Sequence, residues 1–444
     1  MLTLAVPVVV AEMGWIAMGT VDILMVGSLG PEAIGAVGVG SMLFIALAVF
    51  GIGVLLGLDT FIAQAFGAGR LDECHRWLVH GVVMSLALAV PLTLVAWIGI
   101  AYLDLWGFDP TVLRLTEPYL RIVTWSVWPL LLYVSFRRYL QAMGIVTPIM
   151  ITLLTANLIN VAANWMLIYG NLGAPALGVS GAGWATCISR AYLALGLLGV
   201  VVHHDARTGH ALRRASWAIE RARLARLFWL GLPAACQVTL EVGVFSAATA
   251  LAGRLAPVAL AAHQITLNMA SFTFMAPLGM ASAAAVRVGH AIGRRDAVGA
   301  EQAGWTAVML GTFFMACAAA IFLLIPAPLM RLFTVDRTVV NIGVTLLFVA
   351  AIFQLFDGVQ GVLTGALRGL GDTRTPMLWN LVGHWAFGLP LGYTLCFVWG
   401  LGVVGLWIGL SAGLTVVSLV LLVVWSRQIA RLRKDVAGAA VADV

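Results

Sequence analysis

The chain has 444 residues, of which 62% are hydrophobic and only 10% are charged, and its mean hydropathy is +1.02. No water-soluble fold hides that much apolar surface, and no stretch between the apolar segments is long enough for a separate soluble domain. The net charge of +6 would suit a nucleic-acid partner, but the basic residues are gathered on one side of the apolar segments, which a lipid-facing surface explains instead.

Twelve segments are long enough to cross ~30 Å of hydrocarbon. In chain order they are 2–26, 35–58, 77–101, 117–139, 147–169, 178–202, 227–252, 258–284, 304–326, 340–363, 376–399 and 403–425. The first runs past twenty residues without a basic start or a clear cleavage site, so it reads as a span and not as a removable signal. Met1 abuts it directly, which leaves open whether Met1 is the true start. With the N-terminus inside, five of the 25 basic residues fall outside: Arg114, Arg121, Arg254, Arg331 and Arg337. Arg190 stays within a span. The other 19 fall inside, among them Arg137, Arg138 and the basic stretch around Arg207, Arg213, Arg214, Arg221, Arg223 and Arg226. The expectation is a multi-pass protein with both termini cytoplasmic.

The chain is also written twice. Moved forward by 226 residues, Pro7 falls on Pro233, Gly27 on Gly253, Pro31 on Pro257, Gly53 on Gly279 and Gly67 on Gly293. After a slip of a residue or two, Pro148 meets Pro376, and Gly178 and Gly181 meet Gly402 and Gly405. Six spans per half is an even number, so both halves start on the same side. The predicted fold is all-α integral membrane: 12 transmembrane helices in two pseudo-symmetric six-helix bundles. Its parts are an N-lobe (1–202), a cytoplasmic linker (203–226), a C-lobe (227–426) and a cytoplasmic tail (427–444). Parallel repeats of this kind are the plan of a secondary transporter, with two bundles flanking a central cavity.

Ionisable groups inside a bilayer cost roughly 2.5–3.5 kcal/mol each on insertion scales, so three acids stand out: Asp22 in span 1, Glu241 in span 7 and Asp357 in span 10. None has an acidic mate in the other half. Asp22 corresponds to Ala248, Glu241 to Trp15, and Asp357 to Pro129 or Leu130. Each acid either pairs with a neighbouring helix or works as a site. Burial favours the neutral form of a carboxyl and a bound cation favours the ionised form, so an acid without a fixed partner can trade a proton for a cation.

Polar neighbours accompany the acids. Gln237 and Glu241 share a helix face, as do Phe353, Asp357 and Gln360. Asn157, Asn160 and Asn164 make an amide stripe on span 5, which either glues helices or joins Asp22 in one site. Gln264 and Asn268, with His263 adjacent, form a third polar group that either faces a cavity or bonds a neighbouring helix. Glu12 faces the cavity or lies near the inner surface. Asp59 is expected to be hydrated, and His203, His204, Asp205 and His210 to lie in a solvated loop. His384 is either a cavity group or a helix-contact residue. Pro7, Pro233 and Pro390 each remove a backbone hydrogen bond within a span, and Gly35, Gly38, Gly40, Gly51, Gly53 and Gly57 allow close helix approach. The five cysteines (Cys74, Cys187, Cys236, Cys317, Cys396) show no metal or disulfide spacing and read as packing residues.

Several motifs carry a resemblance. They are Val21-Asp22-Ile23-Leu24-Met25-Val26-Gly27, Gln64-Ala65-Phe66-Gly67-Ala68-Gly69-Arg70 and Asn160-Val161-Ala162-Ala163-Asn164-Trp165. Ala261-Ala262-His263-Gln264 follows, then Asp357-Gly358-Val359-Gln360 running into Leu367-Arg368-Gly369-Leu370-Gly371-Asp372. In this order and spacing the chain resembles the multidrug and toxic compound extrusion (MATE) family over nearly its whole length, and within it the NorM-like branch. The resemblance implies a cation and proton site at Asp22, Asn160 and Asn164, and a second cation site, for Na+ where sodium couples, at Glu241 and Asp357. One position departs from the pattern: where NorM-type sodium sites can carry a tyrosine, this chain has Phe353, which offers no oxygen ligand.

The function implied is cation-coupled antiport, with H+ and/or Na+ as coupling ion and no other cofactor, exporting organic and often cationic compounds (drugs, dyes) by alternating access. Gln237, Phe353, Gln264, Asn157, Gln360 and Met269 are candidate substrate-cavity residues. Trp15, Phe245, Phe272 and Met275 are further candidate walls. The expected setting is the bacterial inner membrane, the expected active form a monomer, and nucleic acid is not a partner. The alternative is a lipid-linked saccharide flippase of related architecture, which needs a basic cavity. An enzyme is not expected, because no His-Glu-x-x-His, Gly-x-Ser-x-Gly or nucleotide-binding loop appears in a plausible place.

Overall fold

The computed structural model describes residues 1–107, 109–208 and 218–442. His210, Arg213 and Arg214 of the expected linker lie outside the described residues. All regular elements among the described residues are helices. The first half comprises α1 (Leu2–Val26), α2 (Pro31–Leu55), α3 (Gly57–Gly67), α4 (Leu71–Ala101), α5 (Pro110–Thr124), α6 (Val127–Ala142), α7 (Thr147–Tyr169) and α8 (Val179–Thr208). The second comprises α9 (Arg221–Ala252), α10 (Pro257–Gly293), α11 (Ala297–Leu324), the short α12 (Pro326–Arg331), α13 (Arg337–Leu370), α14 (Arg374–Val398) and α15 (Gly402–Ala442).

Among the described residues, eleven helices or helix pairs are long and apolar enough to cross a membrane, and twelve if α5 and α6 form one span bent by 46°. The expected straight span 117–139 is therefore a bent pair, and the cause is local. Pro129 has no N–H to offer the carbonyl of Trp125 and its ring crowds that carbonyl, so the helix breaks at Trp125 and Ser126. Elsewhere the helices overrun the expected loops. α8 continues to Thr208, α9 begins at Arg221, and α15 carries the chain through the expected tail to Ala442.

The helices gather into two units, Val10–Ala235 and Met1–Val9 with Cys236–Val444. The division falls within α1 after Val9 and within α9 after Ala235, positions 226 residues apart. Each lies two residues beyond a repeat-related proline, Pro7 or Pro233. Within the first unit, a Cβ on Gly53 would stand 2.4 Å from the Ala235 Cα. Within the second, a Cβ on Gly279 would stand 2.4 Å from Val9 Cγ2. Gly53 and Gly279 are repeat mates, and so are Val9 and Ala235, so the same close crossing is built twice. Other pairings recur as well: α7 with α8 as α14 with α15, and α4 with α6 as α11 with α13.

In the second unit α14 is π-helical over Leu381–Gly388 and Thr394–Val398, on either side of Pro390. It lies against α15 along glycines. A Cβ on Gly409 would come within 2.2 Å of the Gly392 nitrogen, and one on Gly413 within 2.4 Å of the Gly383 oxygen. Small residues permit that backbone approach where lipid offers no hydrophobic drive for packing.

Three expectations for charged residues are corrected. Arg137 and Arg138 are not in an inner loop but on α6, buried and paired. Arg137 donates to Glu12 of α1, and Arg138 lies 3.3 Å from Asp59 of α3. Asp59 is accordingly fully buried and not hydrated. Adjacent arginines on one helix reach acids on two others, which meets the requirement that a buried charge be paired. Nor is the His203–Asp205 stretch a solvated loop. It is the last part of α8, with Asp205 buried 3.7 Å from His75.

Candidate cation-coupling sites

Asp22 lies on α1, 5% exposed. Its Oδ1 accepts from Asn160 Nδ2 at 3.1 Å and Asn164 Nδ2 at 2.6 Å, and its Oδ2 accepts from Thr186 Oγ1 at 2.9 Å. Asn164 also donates to Asn160 Oδ1 at 3.2 Å. The amide stripe and the acid thus form one cluster, with Asn160 and Asn164 fully buried. The i, i+4 spacing of the two asparagines places both amides on the face of α7 that meets α1. Asn157, one turn earlier, does different work: it donates to the Gly14 carbonyl of α1 at 3.0 Å and ties the two helices together.

Every donor to Asp22 is neutral. Arg190, one turn beyond Thr186 on α8, lies within electrostatic reach of Asp22 but makes no ion pair with it. Its guanidinium donates to Ser126 Oγ at 2.5 Å and stacks over Phe44 at 4.2 Å and Trp15 at 5.7 Å. Trp15 in turn lies parallel to Tyr133 at 6.3 Å.

The second unit holds the other two acids. Asp357 on α13 is 6% exposed and lies within electrostatic reach of Glu241 on α9. Asn380 of α14 faces the Glu241 carboxyl. Among the described residues no basic side chain lies within ion-pair distance of either acid. Gln360, one turn from Asp357, is buried with Oε1 lacking a protein partner. Gln237, one turn before Glu241, donates to Thr364 Oγ1 at 3.4 Å. His384, one turn after Asn380, is buried with an unpartnered Nδ1.

The remaining candidates fall outside this acid pair. Phe353 is 2% exposed and packs edge-on against Phe245 and Trp407. Met269 belongs to the same apolar core. Gln264 is half-buried, Asn268 is exposed and bonds to its own helix, and Phe272 is exposed. His263 is a helix-contact residue. Its Nδ1 accepts from Trp407 Nε1 at 3.0 Å, so in the neutral ring Nε2–H donates to Thr249 Oγ1 at 3.0 Å.

Sequence reasoning passed over Thr186 and Asn380. Thr186 is a lone hydroxyl in an apolar helix, with no spacing partner to flag it. Asn380 had a signal: it stands one turn before His384, and two polar residues on one face of an otherwise apolar span mark a buried polar position.

Fold and clusters together define a multi-pass helical membrane protein with a duplicated bundle and acid-centred polar sites deep within its helices. A family model described as MatE matches the chain twice, over residues 7–166 and 233–394; the chain belongs to that family. The two matches begin 226 residues apart and end 228 apart, reproducing the internal repeat and its slip. The chain is 36% identical over 434 residues to a probable multidrug resistance protein NorM of Mesorhizobium japonicum, covering 96% of this chain and 93% of the relative. It is 33% identical over 430 residues to the multidrug resistance protein NorM of Aliivibrio fischeri, covering 95% and 92%. Among solved structures it resembles the eukaryotic MATE transporter AtDTX14 (TM-score 0.86, 22% identity, 98% of both chains). It also resembles a MATE structure in the bent conformation (TM-score 0.88, 19% identity, 98% and 96%). At these identities the structural likeness speaks for the fold.

Proposed function

We propose that the protein is a multidrug efflux antiporter of the bacterial inner membrane, active as a monomer with both termini cytoplasmic. It exports organic, often cationic, compounds against an inward flow of protons or sodium ions, by alternating access of an N-lobe (1–202) and a C-lobe (227–426). The names carried by the relatives support drug export, and the excess of basic residues on one side supports the orientation.

One observation carries the reading: Glu241 and Asp357 are acids within electrostatic reach of each other on two helices, with no basic partner in ion-pair reach among the described residues. Two carboxylates in such a place cannot both stay charged without a cation. A proton, a sodium ion or an organic cation relieves the same electrostatic cost, so each competes with the others. Binding of the inward ion therefore releases the outward cargo. Asn380 and Gln360 offer amide oxygens as well as N–H groups to whichever ion is held. Phe353 offers none, and its burial against Phe245 and Trp407 favours protons over sodium. Asp22, held by three neutral donors, is a second acid on which a proton can exchange. The flippase alternative needs a free interior cation for a pyrophosphate. Arg190 is engaged with Ser126, Phe44 and Trp15, which counts against it.

The test is transport of a fluorescent cationic dye in proteoliposomes, with pH and sodium gradients imposed separately. Uptake should follow at least one gradient and should be lost in the Glu241→Gln, Asp357→Asn double variant. Dye movement indifferent to both gradients would overturn antiport.

A further inference from the structure

Another polar cluster lies away from these acids, where three spans end. α3 stops at Gly67, α4 starts at Leu71 and α9 starts at Arg221, and around these termini is a cavity of about 310 Å³. All of its walls belong to the first unit. Its position at the ends of the membrane-crossing segments Pro31–Gly67, Leu71–Ala101 and Arg221–Ala252 puts it at headgroup depth and not in hydrocarbon.

The floor is aromatic. Phe61 stacks on Trp77 at 4.1 Å and 9°, and the Arg223 guanidinium lies 5.3 Å over the Trp77 ring. Arg223 is consumed by acids. It donates to both Glu73 oxygens at 2.6 and 3.2 Å and to Glu220 at 2.8 Å. Arg76 adds a weaker contact to Glu73 at 3.6 Å. His80 Nε2 accepts the Glu220 backbone N–H at 2.9 Å, which fixes the start of α9 against α4. Three arginines (Arg70, Arg223, Arg226) and two glutamates (Glu73, Glu220) line the cavity, an excess of one positive charge, with Arg76 just outside it. Arg70 and Arg226 line the cavity, are exposed, and have no carboxylate within ion-pair distance among the described residues.

We propose that this cavity binds the headgroup of an anionic phospholipid, with Arg70 and Arg226 holding its phosphates and Phe61 and Trp77 lining the glycerol end. A guanidinium matches phosphate oxygens two at a time, and basic pockets between helices on the cytoplasmic side are suited to such headgroups. Two arginines outside any ion pair, Arg70 and Arg226, fit the two phosphodiesters of a diphosphatidylglycerol better than a net-neutral phosphatidylethanolamine. A fixed Glu73–Arg223 pair leaves the shape of the site set before the lipid arrives. The assignment is independent of the transport reading.

The test is native mass spectrometry of the purified full-length protein, titrated separately with diphosphatidylglycerol and phosphatidylethanolamine. The diphosphatidyl lipid should be retained at concentrations at least about tenfold lower, as expected when a charge-matched site gains about 1.4 kcal/mol. The Arg70→Gln, Arg226→Gln double variant should lose that preference. The Arg70→Lys, Arg226→Lys double variant should keep most of it, and the Arg254→Gln, Arg331→Gln double variant should match the parent protein. Inorganic pyrophosphate is the arm for a free polyanion. If it binds alone and the lipid preference is absent, the lipid assignment is wrong. Equal retention of both lipids, or a preference that survives in the glutamine double variant, also overturns it.

Discussion

Gly53→Ala tests the crossing on which the repeat rests. The added Cβ would lie 2.4 Å from the Ala235 Cα, 2.9 Å from its Cβ and 3.0 Å from its nitrogen. Carbon atoms prefer roughly 3.5–4.0 Å, so α2 and α9 must separate by about 1 Å. Two of the three obstacles are backbone, and no rotamer change relieves them. Overpacking of this kind costs about 1–3 kcal/mol, and for a unit of this size each kcal/mol lowers the melting temperature by roughly 2–4 °C. Gly279→Ala meets Val9 Cγ2 at 2.4 Å, with the Val9 nitrogen at 3.0 Å. Its main obstacle is a side chain, although a β-branched one with little rotamer freedom, so its cost should be smaller. Gly38→Ala, also on α2, meets nothing within 4 Å and should be neutral or slightly stabilising. The assay is thermal unfolding of the detergent-purified variants, followed by loss of the monodisperse peak. The expected order of loss is Gly53→Ala, then Gly279→Ala, then Gly38→Ala. Gly53→Ala melting together with Gly38→Ala would refute the close crossing.

Three other expectations concern the charged and polar interior. Asp22→Asn keeps the shape of the acid but not its charge, so gradient-driven dye transport should fall at least about tenfold. Stability should fall by no more than ~2 kcal/mol, three membrane hydrogen bonds at ~0.6 each; a melting temperature alongside the transport rate separates the two effects. Arg137→Gln leaves Glu12 buried without its partner and should cost about 3–5 kcal/mol, whereas Glu12→Gln with Arg137→Gln should recover most of it. Thermal unfolding of the two single variants and the double closes that cycle. Gly170 ends α7 with φ of +77°, and a Cβ there would lie 3.0 Å from Ala176. Gly170→Ala should therefore cost about 1–2 kcal/mol, read in the same melt, and should disturb the helix that carries Asn160 and Asn164.

The repeat was legible because helix-bending and small residues mark geometry directly. Pro7 with Pro233 and Gly53 with Gly279 are read from the sequence in one register, and in the structure they fall at the unit division and at the repeated crossing. The cluster of Asp22 with Asn160 and Asn164 was legible for a related reason: i, i+4 amides in an apolar helix must face a polar partner. What escaped the sequence depends on tertiary contact. Arg137 and Arg138 count with the inner-side basic residues in the sequence because they stand at the inner end of the expected span 117–139. Only the approach of Glu12 and Asp59 from two other helices makes their burial tolerable. Thr186 escaped because a single hydroxyl in a helix can bond its own backbone; its one O–H is shared between the Ala182 carbonyl at 3.0 Å and Asp22 at 2.9 Å.

The duplicated scaffold and the unduplicated acids have to be explained together. Where the second half places Asp357 on an unbroken α13, the first half has the Pro129 region, and there the helix splits into α5 and α6. The same position therefore serves geometry in one half and charge in the other. The first unit keeps its own acid on α1, but it also contains Arg190, so its interior is closer to electrical balance. The second unit holds Glu241 and Asp357 within its spans and, among the described residues, no basic side chain in ion-pair reach of them. On the antiport reading proposed above, the second unit is the one whose acids call for a mobile cation. The same reading puts the stronger demand for a cation at Glu241 and Asp357. It also predicts that neutralising this pair will reduce cation binding more than neutralising Asp22, an order that isothermal titration with a cationic dye can measure.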